Sequence, residues 1–312
     1  MRPAVLGSRA RASLALLVLA CAACERDAPS SDLQRSAEPP RRILSLAPSV
    51  TEILFAVGAG PQVVGVDAYS DYPPAARGLP RLGALLDPDV EGMLRLRPDL
   101  VILLPSQAEV ARALTTVGVP TLTVPHETLA DVERAIVAIG ERTGHAGPGQ
   151  ALVDSLQRAL QRSRAAADRR GARPRVLFVI AREAGQLGNF SVAGPGTYLD
   201  QLIGLAGAEN ALRDVPTRYP QVSAETALRL APDVVLEWTP TDTSAGSAQI
   251  LADDGRRVAE WLGLLTAPAR RAPAVHVLHD DVWLRPGPRV VEALGLLERL
   301  LAPETPAATG HA

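Results

Sequence analysis

Along most of the chain, short apolar runs alternate with segments whose apolar residues recur at helical spacing. Ile43 to Leu46 is one such run, broken by Pro48-Ser49. Thr51 to Val57 then follows with the spacing of a helix that Gly58 and Gly60 stop. Val63–Val66, Leu100–Leu104 and Thr121–Val124 have the pattern of buried strands, and helices fit between them. Alternation of this kind predicts a parallel sheet flanked by helices. A helix over about Leu129–Thr143 comes next, and Gln150 to Arg170 then runs without Gly or Pro, enough for a rod of about 30 Å. A strand at Arg175–Ile180 opens a second unit. It continues through a helix at Tyr198–Leu205, strands at Val234–Trp238 and Val275–Leu278, and a last helix at Arg289–Leu301. The predicted fold class is α/β: two lobes with central, mostly parallel sheets flanked by helices, joined by one long rigid α-helix. The expected boundaries are an N-terminal lobe over 41–146, an interlobe helix over 147–172, a C-terminal lobe over 173–303 and a small polar tail over 304–312.

An internal repeat supports two related lobes. Val90-Glu91-Gly92-Met93-Leu94-Arg95-Leu96-Arg97-Pro98-Asp99-Leu100-Val101 returns as Ala224-Glu225-Thr226-Ala227-Leu228-Arg229-Leu230-Ala231-Pro232-Asp233-Val234-Val235, at a constant offset of 134. Each copy reads as a short helix ended by Pro before an Asp and feeding a buried strand. Matches in register at Glu, Leu-Arg-Leu, Pro-Asp and Val point to duplication.

The first 24 residues read as a bacterial export signal: Arg2, Arg9 and Arg11 precede an apolar run from Leu14 to Ala23 that is too short to cross about 30 Å of hydrocarbon. Val18-Leu19-Ala20-Cys21 and Cys21-Ala22-Ala23-Cys24 each resemble a lipoprotein processing site. Cys24, with Cys21 as the alternative, is the expected lipid attachment point, which would anchor an exported, periplasmic or cell-surface protein to the membrane. Residues 25–40, rich in Ser, Pro and charge, read as a flexible tether. No cysteine follows Cys24, so the folded part has no disulfide, thiol nucleophile or thiolate metal site.

A length of 312 residues and 47% hydrophobic content suffice for a large core. The formal charge of -2 gives no basic footprint for nucleic acid. No Gly-x-Ser-x-Gly, phosphate loop or His-Glu-x-x-His occurs, and Gly58-Ala59-Gly60 follows a helix instead of opening one, so it is a helix stop and not a dinucleotide loop. His276 and His279, three apart near a strand end, either face solvent or reach a metal. His126 and His145 stand in separate loops.

Five stretches resemble the helical-backbone (class III) periplasmic substrate-binding proteins of ABC importers for cobalamin, haem and ferric siderophores. They are Arg42-Ile43-Leu44-Ser45-Leu46-Ala47-Pro48-Ser49-Val50-Thr51-Glu52, Tyr69-Ser70-Asp71-Tyr72-Pro73-Pro74, the two repeats, and Pro286-Gly287-Pro288-Arg289. The similarity covers about residues 41–302. The Tyr69–Pro73 stretch and Tyr219-Pro220-Gln221-Val222-Ser223 are most similar to the cobalamin-binding branch. The resemblance implies a non-enzymatic protein with no covalent cofactor and no bound metal of its own. It would capture cobalamin in an interlobe cleft and deliver it to an ABC permease and its ATPase; haem or a ferric siderophore is the alternative ligand.

In open α/β sheets ligands bind beyond the carboxyl ends of the strands. Aromatics make up 3% of the chain, yet Tyr69, Tyr72, Tyr219, Trp238 and Trp283 all fall in loops or at strand ends. Aromatic walls suit a large, mostly apolar macrocycle, although local packing accounts equally well for Tyr72 and Trp238. The resemblance places Asp281 where it would face corrin amides. Ser49 and Thr51 at the first helix either touch ligand or cap the helix. The chain departs from the cobalamin-binding pattern at Leu85, where an aromatic is expected, and at Tyr219, where Trp is expected. Glu91 and Glu225, equivalent in the repeat, would dock onto arginines of the two permease halves.

Overall fold

The computed structural model describes residues 38–302 apart from 86, 170, 172, 184, 186, 241–245 and 267–271. Cys21 and Cys24, the export signal, most of the tether and the 304–312 tail lie outside the described residues. In chain order the N-terminal lobe contains β1 (Ile43–Ser45), α1 (Pro48–Ala56), β2 (Val63–Val66), a small antiparallel pair of β3 (Gly83–Ala84) and β4 (Asp87–Pro88), α2 (Val90–Arg95), β5 (Leu100–Leu103), α3 (Ala108–Thr116), β6 (Thr121–Thr123) and α4 (Leu129–Thr143). Then α5 (Ala146–Ala167) crosses to the second lobe. That lobe contains β7 (Arg175–Ala181), β8 (Asn189–Val192), α6 (Tyr198–Leu205), β9 (Glu209–Asn210), β10 (Gln221–Ser223), α7 (Ala224–Leu230), β11 (Val234–Trp238), α8 (Ser247–Leu265), β12 (Ala274–Leu278) and α9 (Val290–Leu300).

The first sheet has the order β2-β1-β5-β6 and is wholly parallel. The second has the order β10-β8-β7-β11-β12, with β9 beside β7, and only β8 runs antiparallel to its neighbours. The α/β class with mostly parallel sheets is therefore what the chain forms. Besides the two-residue strands β3, β4 and β9, the strands β8 and β10 and the helix α8 escape the sequence pattern. β8 and β10 are short and follow stretches rich in Gly or Pro, and α8 buries only Trp261 and Leu265.

The central strands are buried on both faces, and their side chains point alternately to the two sides of the sheet. Ile43, Leu100, Ile102, Val176 and Phe178 enter one apolar cluster, whereas Leu44, Val101 and Leu103 face the outer side of the first sheet and Leu177 and Val179 that of the second. The inner cluster is continuous from one lobe to the other. It takes Val50 and Ile53 of α1, Ile136 and Ile139 of α4, Val153 and Leu156 of α5, Leu199 and Leu202 of α6, and Leu294 and Leu297 of α9. The lobes thus share packed apolar surface in addition to the connecting helix.

That helix has 22 residues, about 33 Å of rise, and is unbroken. Its first turn holds Gly147-Pro148-Gly149, where a missing N–H costs nothing because that turn has no intrahelical acceptor. Gly149 lets α5 touch α4: a Cβ there would stand 3.4 Å from the Gly140 Cα and 3.3 Å from the Ile136 carbonyl. The helix stops at Ala167, short of the boundary at 172 expected from sequence.

The repeat is a structural repeat as well. Asp89 caps α2 by accepting from the Gly92 N–H at 2.7 Å, and its equivalent Ser223 caps α7 by accepting from Thr226 at 3.3 Å. Each helix is followed, just before Pro, by a residue with positive φ, 44° at Arg97 and 48° at Ala231. Next, Asp99 accepts from the Arg42 N–H at 2.9 Å and Asp233 from the Arg175 N–H at 2.9 Å, tying each helix exit to the first strand of its own lobe.

Candidate ligand cleft between the lobes

The segment after β2 carries two of the tyrosines. Its base is held by a chain of polar side chains inside the N-terminal lobe: Ser45 bonds Thr51 at 2.7 Å, Thr51 bonds Ser70 at 2.7 Å, and Ser70 donates to Asp67. Asp67 also accepts the Tyr69 N–H at 2.9 Å, while Arg81 donates to the Ser70 carbonyl at 2.6 Å. Burial pushes the Asp67 carboxyl up, against the hydrogen bonds from Ser70 and Tyr69. The result is an exposed Tyr69 and Tyr72 on a buried, bonded base.

Across the lobe boundary stand two arginines of the C-terminal lobe. Arg285 donates to Asp71 at 2.6 Å, to the Tyr69 carbonyl at 3.1 Å and to Asp281 at 2.6 Å. Arg289 grips Glu52 of α1 with two hydrogen bonds, at 2.7 and 3.0 Å, and its guanidinium lies 4.0 Å from the Tyr72 ring centroid. Burial pushes the Glu52 carboxyl up, opposed by Arg289 and Arg285; at Asp71 the bond and charge of Arg285 overcome burial and hold the carboxyl down. A second crossing lies at Tyr219, whose hydroxyl donates to Glu127 at 3.1 Å. Burial and the Glu127 charge push this phenol well up, so it stays protonated.

Of the expected site residues, Tyr69, Tyr72 and Tyr219 are exposed at the lobe boundary. Trp238 is half-buried and donates to the Asp280 carbonyl at 3.1 Å. Trp283 is corrected to a core residue: it is 2% exposed, its ring centroid lies 5.9 Å from that of Phe178, and its carbonyl accepts the Tyr198 hydroxyl at 2.7 Å. Asp281 spends its carboxylate on Arg285. Ser49 is buried, and neither it nor Thr51 caps α1, because Ala47 is the cap and Pro48 opens the helix. Thr51 instead bonds inward. Leu85, at the departure from the cobalamin-binding pattern, is exposed.

Glu91 and Glu225 occupy equivalent first-turn positions and are highly exposed, each beside the Arg four residues on, at 3.7 Å for Arg95 and 2.7 Å for Arg229. His279 points to Asp254 at 2.9 Å, and burial holds His276 low. Among the described residues no group of three or more His, Cys, Asp or Glu could hold a metal ion, and no helix is long and apolar enough to cross a membrane. A groove of about 910 Å³ runs between α4, α5 and α6, but none of the three tyrosines lines it.

Sequence reasoning missed Glu52, Asp71, Glu127, Arg285 and Arg289 as members of the site. Glu52 and Arg289 lie within stretches that carry the family resemblance, yet their pairing spans 237 positions and leaves no local signal.

A periplasmic binding protein family model matches residues 43–257. A vitamin B12-binding protein of Pectobacterium carotovorum is 28% identical over 258 residues, 81% of this chain and 86% of that protein. The structure of the periplasmic vitamin B12-binding protein BtuF of Vibrio cholerae superposes with a TM-score of 0.69 at 27% identity, covering 85% of this chain and 97% of the other. The periplasmic heme-binding protein RhuT of Roseiflexus sp. RS-1 does so with a TM-score of 0.70 at 29% identity, covering 83% and 97%. A family match over most of the fold, two α/β lobes on a continuous connecting helix, and exposed tyrosines where the lobes meet agree: the chain belongs to the periplasmic binding protein family, in its helical-backbone class, and is a solute-binding protein and not an enzyme.

Proposed function

We propose that this chain is the substrate-binding component of an ABC importer that captures cobalamin between its lobes and hands it to a membrane permease with its ATPase. The observation that carries the reading is the set of three exposed tyrosines at the lobe boundary, in a chain similar to vitamin B12-binding proteins. Phenol rings offer flat apolar faces with a polar edge, which suits a corrin ring fringed with amides. Tyr69, Tyr72 and Tyr219 form the wall, with Trp238 and Asp281 at its margin. Lipid on Cys24, or on Cys21, would hold the exported protein at the membrane.

Isothermal titration of the chain lacking residues 1–24 against cyanocobalamin, haemin and a ferric siderophore tests the reading. One-to-one binding of cyanocobalamin is expected, and no heat with it overturns the corrin assignment. Haem is the second reading, favoured by Tyr69, which is 63% exposed, whereas the Tyr219 hydroxyl is committed to Glu127. A haem iron would accordingly bind Tyr69 and not Tyr219.

A further inference from the structure

The tyrosine wall of the N-terminal lobe is fastened from two sides. Asp67, Ser70 and Thr51 hold its base and Arg77 of the same lobe donates to the Asp71 carbonyl at 3.0 Å, while the other lobe adds Arg285 on the Tyr69 carbonyl and the Asp71 carboxylate and Arg289 over the Tyr72 ring. Each arginine is aimed by a carboxylate. Glu52, 3% exposed, takes two prongs of Arg289, and Asp281 takes one of Arg285. A guanidinium fixed by its planar fork cannot swing away from the ring it covers. A buried ion pair is weak evidence for stability, since apolar residues of similar size often serve as well. What charges add here is direction.

We infer that Arg285 and Arg289 are positioning residues: they fix the side-chain face of the Tyr69–Tyr72 segment, so that the full shape of one lobe's binding wall depends on the present orientation of the other lobe. The inference deepens the proposed function and rests on Tyr69 and Tyr72 as ligand contacts. Pre-forming the wall removes an ordering cost from binding, so these arginines raise affinity without touching ligand.

Hydrogen exchange of the ligand-free mature chain tests this directly, with Arg285→Gln and the pair Glu52→Gln/Arg289→Met, which leaves no unpaired buried charge and so keeps the fold. The expected result is exchange about tenfold faster in the peptide over 67–73, with β1 and β5 unchanged. Unchanged exchange in that peptide overturns the inference, and so does a uniform rise through both lobes, which would mark the arginines as general stabilisers.

A titration cycle forms the second arm. The Glu52→Gln/Arg289→Met pair is expected to weaken cyanocobalamin or haemin binding about tenfold with Tyr72 present and less than about twofold in a Tyr72→Ala background. Equal losses in both backgrounds overturn it. If the unmodified chain binds neither ligand, the functional reading falls and the exchange result alone decides the positioning role.

Discussion

At the scale of single residues, the most consequential pair is Glu52 with Arg289, because it is buried and joins elements at opposite ends of the chain. Removing Arg289 leaves the buried Glu52 carboxylate with Arg285 alone, 3.8 Å away and without the two hydrogen bonds, whereas removing both partners leaves no buried carboxylate there. Arg289→Met alone is therefore expected to cost up to about 3 kcal/mol in urea unfolding, the low end for a broken buried pair because Arg285 remains, and Glu52→Gln/Arg289→Met much less. The pH response separates the two. The Glu52 carboxyl is already pushed above its ordinary value of 4.5 by burial, and losing Arg289 raises it further. A raised carboxyl favours the folded state below its unfolded pKa and loses that contribution as pH rises through the folded value. Arg289→Met should thus lose stability on going from pH 4.5 toward neutrality more steeply than the parent, and the double variant, with no carboxyl at position 52, less steeply than either; parallel curves for all three would refute the assignment.

At the scale of elements, the duplicated helix-to-strand unit shows what a short motif can specify. A polar cap starts each helix, a left-handed residue before Pro ends it, and an aspartate ties the exit to the first strand of its lobe. The left-handed residue is not Gly in either copy, although a Cβ there costs about 1–2 kcal/mol. Ala231, with φ 48° and ψ 57°, stores that cost in the C-terminal copy. Ala231→Gly is expected to stabilise the protein by about 0.5–1 kcal/mol once the greater freedom of unfolded Gly is deducted, and Ala231→Val to destabilise it. Denaturation midpoints check both, and a fall with Gly would show that the backbone there is unstrained.

At the scale of the whole molecule, the repeat sets Glu91 and Glu225 at equivalent, exposed places on the two lobes, and we propose that they meet arginines on the two halves of a permease. Each carboxylate also sits in a first helical turn beside an arginine four residues on, an arrangement worth only a few tenths of a kcal/mol to its own helix. Exposed pairs of this kind give way readily to a better partner. Glu91→Lys/Glu225→Lys should leave ligand affinity within a few-fold while abolishing uptake in cells, because like charges facing across an interface cost several kcal/mol. Normal uptake would eliminate docking, and lost binding would move the pair into the cleft.

The sequence alone determined the α/β class, the two lobes, the helix that connects them and the repeat. Each rests on local periodicity or on Gly and Pro, and α4, α6 and β11 fall within the bounds their patterns predict. The same locality explains the misses. β8 and β10 gain their strand character from partners in the sheet. Trp283 looked like a cleft residue because it lies in a loop, but the fold turns its ring into the core against Phe178. Tertiary structure alone decided which charges meet. Arg285 with Asp71 and Arg289 with Glu52 are brought together over more than 200 positions by the turn before α9, where Gly287 lies close against Ser49 at the start of α1, and a hydrogen bond closed over such a distance leaves no periodic trace along the chain.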